Sequence, residues 1–232
     1  QQAAIALGRV GDSDCLEQLT QIGEHTTDLI LGLGVALPLE HDVLVLAKTV
    51  ATLDVLSGGR VHFGVGVGWN QEELANHSSV KWSLRYRALG ECVGALRSLW
   101  TDDESEYHGD FYNFEKLWSR PKPLQTPHPP ILFGAGGKLG TQHTVSWADG
   151  WMPLDVTLGD VTKRVKKFRE VAAAAGRFDI PISMVAFGDP SLDTLLMYRD
   201  LGIERVIVGS GRQGWEDPAG VPAFIERYAD ML

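Results

Sequence analysis

The sequence predicts an α/β fold in which helices cover a parallel sheet, and three observations lead there. About six strand-then-helix units alternate along the chain, the order that parallel strands require because each return crossover takes a helix. Runs such as Leu29 to Leu37 and Ile131-Leu132-Phe133 carry the continuous apolar content of buried strands. Three strand ends then run into glycine or small residues, at Gly34-Val35-Ala36, Gly66 to Asn70 and Gly134 to Gly137. At 232 residues the chain is long enough to bury a sizeable core as one domain, and no internal repeat accompanies the alternation.

Residues 1–14 carry no clear pattern. From Cys15, the spacing of Leu16, Leu19 and Ile22 predicts a helix that ends at His25-Thr26-Thr27. Leu29 to Leu37 is the first strand, stopped by Pro38. Asp42 is placed to cap a second helix whose apolar face holds Val43, Leu46, Val50 and Leu53. That helix ends at Ser57-Gly58-Gly59, where glycine takes the left-handed cap conformation. Arg60 to Val65 is a short buried strand, and Gly66 to Asn70 leaves it without side-chain bulk until Trp69. Ser83 to Trp100 is helical, with Leu84, Leu89, Val93, Leu96 and Trp100 on its apolar face.

The rhythm breaks over about residues 101–130. An acidic turn, the aromatic piece Tyr107 to Phe114, and Pro121, Pro123, Pro127, Pro129 and Pro130 predict a small inserted hairpin and an extended connector. Ile131 to Phe133 resumes the alternation and meets the turn Gly134-Ala135-Gly136-Gly137. A helix over Thr141 to Ala148, a strand at Trp151-Met152, a helix over Val161 to Ala175 and a strand over Ile182 to Phe187 follow. A helix over Leu192 to Leu201, a strand over Arg205 to Val208 and a closing helix over Val221 to Leu232 complete the chain. Two architectures satisfy this order: a six-stranded doubly wound sheet, or an eight-stranded (β/α) barrel lacking its first two strands, since a whole barrel takes about 250 residues.

A net charge of −9 argues against nucleic acid or an anionic membrane as the partner, because phosphate-rich surfaces are held by clustered Lys and Arg. The run Lys163-Arg164-Lys166-Lys167-Arg169 reads as the solvated face of a helix. The two cysteines, Cys15 and Cys92, form neither a metal-type pair nor a disulfide framework, which suits a reducing cytoplasm. No apolar run reaches the roughly 20 residues that span a bilayer, and no signal peptide is visible. The seven histidines (His25, His41, His62, His77, His108, His128 and His143) show no zinc spacing, and neither a serine nucleophile elbow nor a catalytic cysteine context occurs. A small molecule is the expected partner.

Gly64, Gly66 and Gly68 are spaced G-x-G-x-G, which departs from the dinucleotide fingerprint, and the nearest acid at the required distance, Glu91, falls inside a helix. The backbone amides of Gly134-Ala135-Gly136-Gly137 open a helix and form an anion site, or else a structural turn. Asn70 offers a donor and an acceptor to a ligand, with Trp69 walling a pocket; the plainer alternatives are a helix N-cap and a core aromatic. Arg60 is expected to hold its turn by pairing with a carboxylate, the alternative being a direct ligand role.

Leu53-Asp54-Val55-Leu56-Ser57-Gly58-Gly59-Arg60 followed by Gly64-Val65-Gly66-Val67-Gly68-Trp69-Asn70 resembles the luciferase-like monooxygenase superfamily, in particular its coenzyme F420-dependent oxidoreductases. Leu33 to Pro38, Arg85 with Glu91, Leu99-Trp100, Pro121-Lys122-Pro123, Pro129-Pro130-Ile131 and Asp149-Gly150-Trp151 fit in the same order. The resemblance implies a (β/α)8 barrel in which the family's first strand, helix and second strand would precede Gln1. It implies hydride transfer between coenzyme F420 and a small organic substrate; the alternatives are an FMN-dependent monooxygenase and a non-catalytic flavin-binding homologue. Cofactor contacts are then expected from Gly34, Val35, Gly68, Trp69, Asn70, Gly134, Ala135, Gly136 and Gly137, with a non-prolyl cis peptide at Gly34-Val35 behind the ring. The family's Asp-His pair follows its second strand, so no residue of this chain takes that catalytic role. Sheet edges left open by an incomplete barrel favour a homo-oligomer.

Overall fold

The computed structural model describes residues 21–209 and 226–228. Its contacts divide into two compact units, one comprising Gln1–Gly134 with Ser146–Asp149, the other Ala135–Val145 with Gly150–Leu232. The unpatterned stretch 1–14, the start of the first helix and most of the closing helix lie outside the described residues, although residues 21–25 and 226–228 are helical.

In the first unit, β1 (Leu31–Gly32) leads through α1 (Val43–Leu56) to β2 (Val61–Val65), and α2 (Gln71–His77) and α3 (Arg85–Thr101) follow. An antiparallel hairpin, β3 (Ser105–His108) with β4 (Asn113–Leu117), precedes β5 (Ile131–Phe133). Leu31 pairs with Val61 and Phe63 with Ile131, both in parallel register, so β1, β2 and β5 stand side by side in chain order. This order has no reversal, as in a barrel and unlike the switch point of a doubly wound sheet. The first strand is shorter than Leu29 to Leu37: ladder bonding holds Leu31–Gly32 and resumes in a single bridge, Ala36 to Val65.

Asp42 caps α1, its side chain accepting from Leu44 N at 3.0 Å and Val45 N at 2.9 Å. Asp54, near the other end of the helix, is fully buried. Its Oδ2 accepts from Leu124 N (2.8 Å) and Gln125 N (2.9 Å), and its Oδ1 from Gln125 Nε2 (2.7 Å) and Val61 N (3.4 Å). One carboxylate therefore ties α1, the start of β2 and the proline connector together. Leu84 does not join the α3 core face; it belongs to a 3-10 turn, Trp82–Leu84, that precedes the helix, and is 36% exposed. Helix α2 escaped the sequence reading because its seven residues bury only Leu74, too little to set a period.

Cys92, inside α3, is fully buried, and burial pushes its thiol from the ordinary 9.0 up to about 12. The stability contributed by this neutral thiol is full below about pH 9 and is lost as pH rises through about 12. At pH 8 iodoacetamide is expected to leave Cys92 unmodified in the native chain and to label it in urea, as read by peptide mass mapping.

The second unit contains α4 (Gly137–Trp147), β6 (Gly150–Trp151), α5 (Val161–Ala174), β7 (Ser183–Ala186), α6 (Leu192–Asp200) and β8 (Arg205–Val208). Strands β7 and β8 are parallel, and single bridges join Trp151 to Ile182 and Leu154 to Val185. Trp151 stacks on Phe168 at 4.2 Å within a core that includes Ile182, Met184 and Tyr198. Helix α4 starts at Gly137, one turn before the expected Thr141. Gly140 lets that extra turn form, because a Cβ there would stand 2.9 Å from the Ala135 carbonyl carbon.

Candidate functional site

Backbone hydrogen bonds bring three small-residue strand ends together. Ala36 N donates to Gly64 O, Gly66 N to Ala36 O, and Gly134 N to Val65 O, each at 2.8 Å. They meet at the carboxyl ends of parallel strands, where α/β proteins place their ligands. The Gly34-Val35 peptide is cis, as the family resemblance implied. A Cβ on Gly66 would lie 2.7 Å from Val35 Cγ2, so only glycine accommodates Val35 in this position.

Beyond Gly66 the chain turns out at Gly68 (φ +74°) to Trp69, which is 83% exposed. Trp69 is therefore not a core aromatic. Asn70 is the N-cap of α2; its Oδ1 accepts from Glu72 N at 3.1 Å and Glu73 N at 3.3 Å.

The turn after β5 is braced within the second unit. Trp151 Nε1 donates to Ala135 O at 2.8 Å, Gly140 packs against the same backbone, and Gly137 (φ +74°) has open space where a side chain would stand. A Cβ on Gly136 would meet Leu158 Cδ2 and Thr157 Oγ1 at 3.4 Å. Bare backbone at Gly136 and Gly137 leaves the amides of this turn open to close approach by an anion.

Arg60 holds its turn, but through carbonyls and a hydroxyl instead of the expected carboxylate. Its guanidinium donates to Ser57 O, to Leu29 O at 2.8 Å, to Gly23 O at 2.6 Å and to Thr26 Oγ1 at 2.9 Å. The planar fork of donors matches several carbonyls at once, which a single carboxylate would not do. Asp149 registers β5 by accepting from Ile131 N at 2.9 Å while pairing with Arg97 at 2.9 Å. Gln125, Thr126, Pro127, His128, Pro130 and Asp149 line a cavity of about 290 Å³. It opens at the amino end of β5, away from the glycine turn, among residues that serve the scaffold. Among the described residues no three His, Cys, Asp or Glu side chains lie together as metal ligands, and no helix is long and apolar enough to cross a membrane.

Sequence reading missed Gly140 and Thr157 beside the glycine turn. The Asp149-Gly150-Trp151 motif pointed to Trp151 without giving its part, the indole clamp on Ala135.

Bare backbone gathered at the carboxyl ends of parallel strands defines an α/β protein with the open strand ends at which this class places its ligands. Residues 3–195 match the family model for luciferase-like monooxygenases, and the chain belongs to that family. Its fold is accordingly of the luciferase-like barrel type. An uncharacterised protein of Mycobacterium tuberculosis is 41% identical over 213 residues, covering 89% of this chain and 72% of the relative. An FMNH2-dependent dimethylsulfone monooxygenase of Pseudomonas putida is 31% identical, with coverages of 65% and 42%. An F420-dependent glucose-6-phosphate dehydrogenase of M. tuberculosis is also 31% identical, with coverages of 70% and 49%. Among solved structures, the monooxygenase RslO1 from Streptomyces bottropensis aligns with a TM-score of 0.65 at 25% identity, over 81% of this chain and 58% of that one. The chain thus spans about half the length of the two cofactor-named relatives.

Proposed function

We propose that this protein is an oxidoreductase that transfers a hydride between coenzyme F420 and a small organic substrate. The observation that carries the reading is the trio of strand ends, hydrogen-bonded side by side and stripped of side-chain bulk at Gly66 and Gly134. The deazaflavin, when bound, supplies a carbon that accepts or returns a hydride and does not readily activate oxygen. Gly34 and Val35 would support the ring from behind. Gly68 and Trp69 would border it, and Asn70, whose Oδ1 is engaged in capping α2, would donate from Nδ2. The amides of Gly134, Ala135, Gly136 and Gly137 would hold the phosphate at the head of α4, with Thr157 beside them. Excluding water over the open ring face would orient the substrate carbon.

Preference for F420 over FMN rests on the Gly-Val-Gly-Val-Gly-Trp-Asn motif, because the FMNH2-dependent and F420-dependent relatives match at equal identity. FMN in the same seat would suit a monooxygenase. We take the protein to act as a single barrel domain and as a homo-oligomer in the cytoplasm.

Titration of the full-length protein with F420 and FMN, followed by turnover assays, tests the proposal. Saturable F420 binding with oxygen-independent reduction or oxidation is expected. Gly136→Val is expected to weaken that binding at least roughly tenfold, its γ-methyls crowding Thr157 and Leu158. Tight FMN binding with oxygen-dependent turnover and no response to F420 favours the monooxygenase; binding without turnover favours a non-catalytic flavoprotein.

A further inference from the structure

The segment between β2 and α3 is fastened at both ends and only lightly in between. At its far end the guanidinium carbon of Arg85 lies 3.7 Å from the centroid of the Trp82 ring, and Nη1 donates to Trp82 O at 2.9 Å. These contacts fix the Trp82–Leu84 turn to the head of α3. At its near end Gly66 N is bonded into the strand ends through Ala36 O. Between them stands α2, which rests on the turns Pro38–Glu40 and Trp82–Leu84. Leu74 is the one buried side chain of its seven residues, while Gln71, Glu72, Ala75, Asn76 and His77 are exposed. The cap bonds of Asn70 go to the helix's own amides and do not tie it to the sheet. A helix with so little buried surface moves at low cost.

Trp69 stands at the near end of this strap. A residue that walls a pocket is expected there, yet its side chain is 83% exposed, whereas Val65 and Val67 just before it are buried. Gly66 and Gly68 flank Val67. Gly68 takes φ +74°, and an added Cβ there would meet nothing nearer than Glu40 Oε1 at 3.9 Å. Rotation at Gly68 is therefore unobstructed, and hinges consist of a few such element-terminal residues that absorb a φ/ψ change. A large aromatic left in water at the end of a parallel strand gains by covering an apolar ring held at Gly34, Val35 and Gly66. All of these residues belong to the first unit.

We propose that residues 67–81 form a strap that hinges at Gly68 and brings Trp69 over a planar ring seated on Gly34 and Val35, which deepens the cofactor reading and rests on it. Leu74 sets how readily the strap moves, and Arg85 with Trp82 marks where the movement stops.

The test uses the full-length protein labelled with 5-fluorotryptophan, with Trp69→Phe to assign the Trp69 fluorine signal, titrated with F420, FMN and riboflavin. Hydrogen exchange of the α2 amides is followed in parallel. In the free protein the Trp69 signal is expected to show the solvent isotope shift of an exposed indole, and α2 to exchange at least roughly a hundredfold faster than the middle of α3. Saturating ligand is expected to remove the isotope shift and to slow α2 exchange at least roughly tenfold. Leu74→Ala is expected to speed α2 exchange in the free protein and to leave that of α3 unchanged. Ligand binding that alters neither the Trp69 signal nor α2 exchange overturns the proposal. So does α2 exchange as slow as that of α3 in the free protein, and so does failure of all three ligands to bind. The full response with FMN or riboflavin and none with F420 keeps the strap and removes the F420 reaction.

Discussion

Asp54→Ala is expected to lower the unfolding free energy by roughly 3 to 5 kcal/mol, because it strands several donors at once and an unmet buried donor costs about 1–3 kcal/mol. The amides of Leu124 and Gln125 have Oδ2 as their partner, and the Gln125 side chain relies on Oδ1. The loss is a large part of the ~5–15 kcal/mol that a domain has in total. Urea unfolding followed by tryptophan fluorescence measures it. Asp54→Asn, which keeps the shape but turns one acceptor into a donor facing N–H groups, is expected to fall between wild type and Asp54→Ala. Equal stability of all three proteins would show that this node does not hold the unit together.

Gly140→Ala reverses a familiar sign. In a helix interior, replacing glycine by alanine ordinarily stabilises by about 1 kcal/mol. Here the new Cβ would stand 2.9 Å from the carbonyl carbon and Cβ of Ala135 and 3.0 Å from its oxygen, so α4 or the glycine turn must shift. The same carbonyl takes the Trp151 indole hydrogen bond, and the shift breaks that bond or stretches it. A stability loss of roughly 1–3 kcal/mol is expected, as for other overpacked sites, together with at least a roughly tenfold loss of cofactor affinity. Calorimetric binding and urea unfolding on the same preparation read both effects. A more stable variant with unchanged affinity would show that the turn does not depend on its packing against α4.

Much of this architecture was legible because the deciding signals are local. Asp42, the Ser57-Gly58-Gly59 stop and the apolar run Ile131 to Phe133 each act within a few residues, and their elements fall where expected. The start of α4 was misplaced because glycine propensity speaks against a helix, while the reason for Gly140 is a contact with a preceding turn. Arg60 and Asp54 show the same limit: residue type announced a polar anchor, but their partners lie up to 37 and 71 positions away. A lone acid in the second half of α1, among Val50, Ala51, Leu53, Val55 and Leu56, was the available hint for Asp54. At the site, the glycine clusters were visible in sequence. Their meeting at one edge depends on strand register, which no local pattern encodes.

The inserted hairpin has its own anchor. Glu91 on α3 accepts from three successive amides, Asp110 N at 3.1 Å, Phe111 N at 2.6 Å and Tyr112 N at 2.7 Å, and a Cβ on Gly109 would collide with its carboxylate. Such a concave row of amides is the chemistry that captures free anions elsewhere, here already filled by the chain's own carboxylate. The insertion is further tied to α3 by side chains and not by a ladder: Arg87 pairs with Asp110, Ser98 Oγ donates to Glu106 O at 3.3 Å, and Ser105 Oγ donates to Ser98 O at 3.0 Å. Strand β3 is thereby fixed, with Ser105 fully buried, whereas the mostly exposed β4 can change length and composition while the parallel sheet keeps its register, which makes β4 the natural place for relatives to diverge.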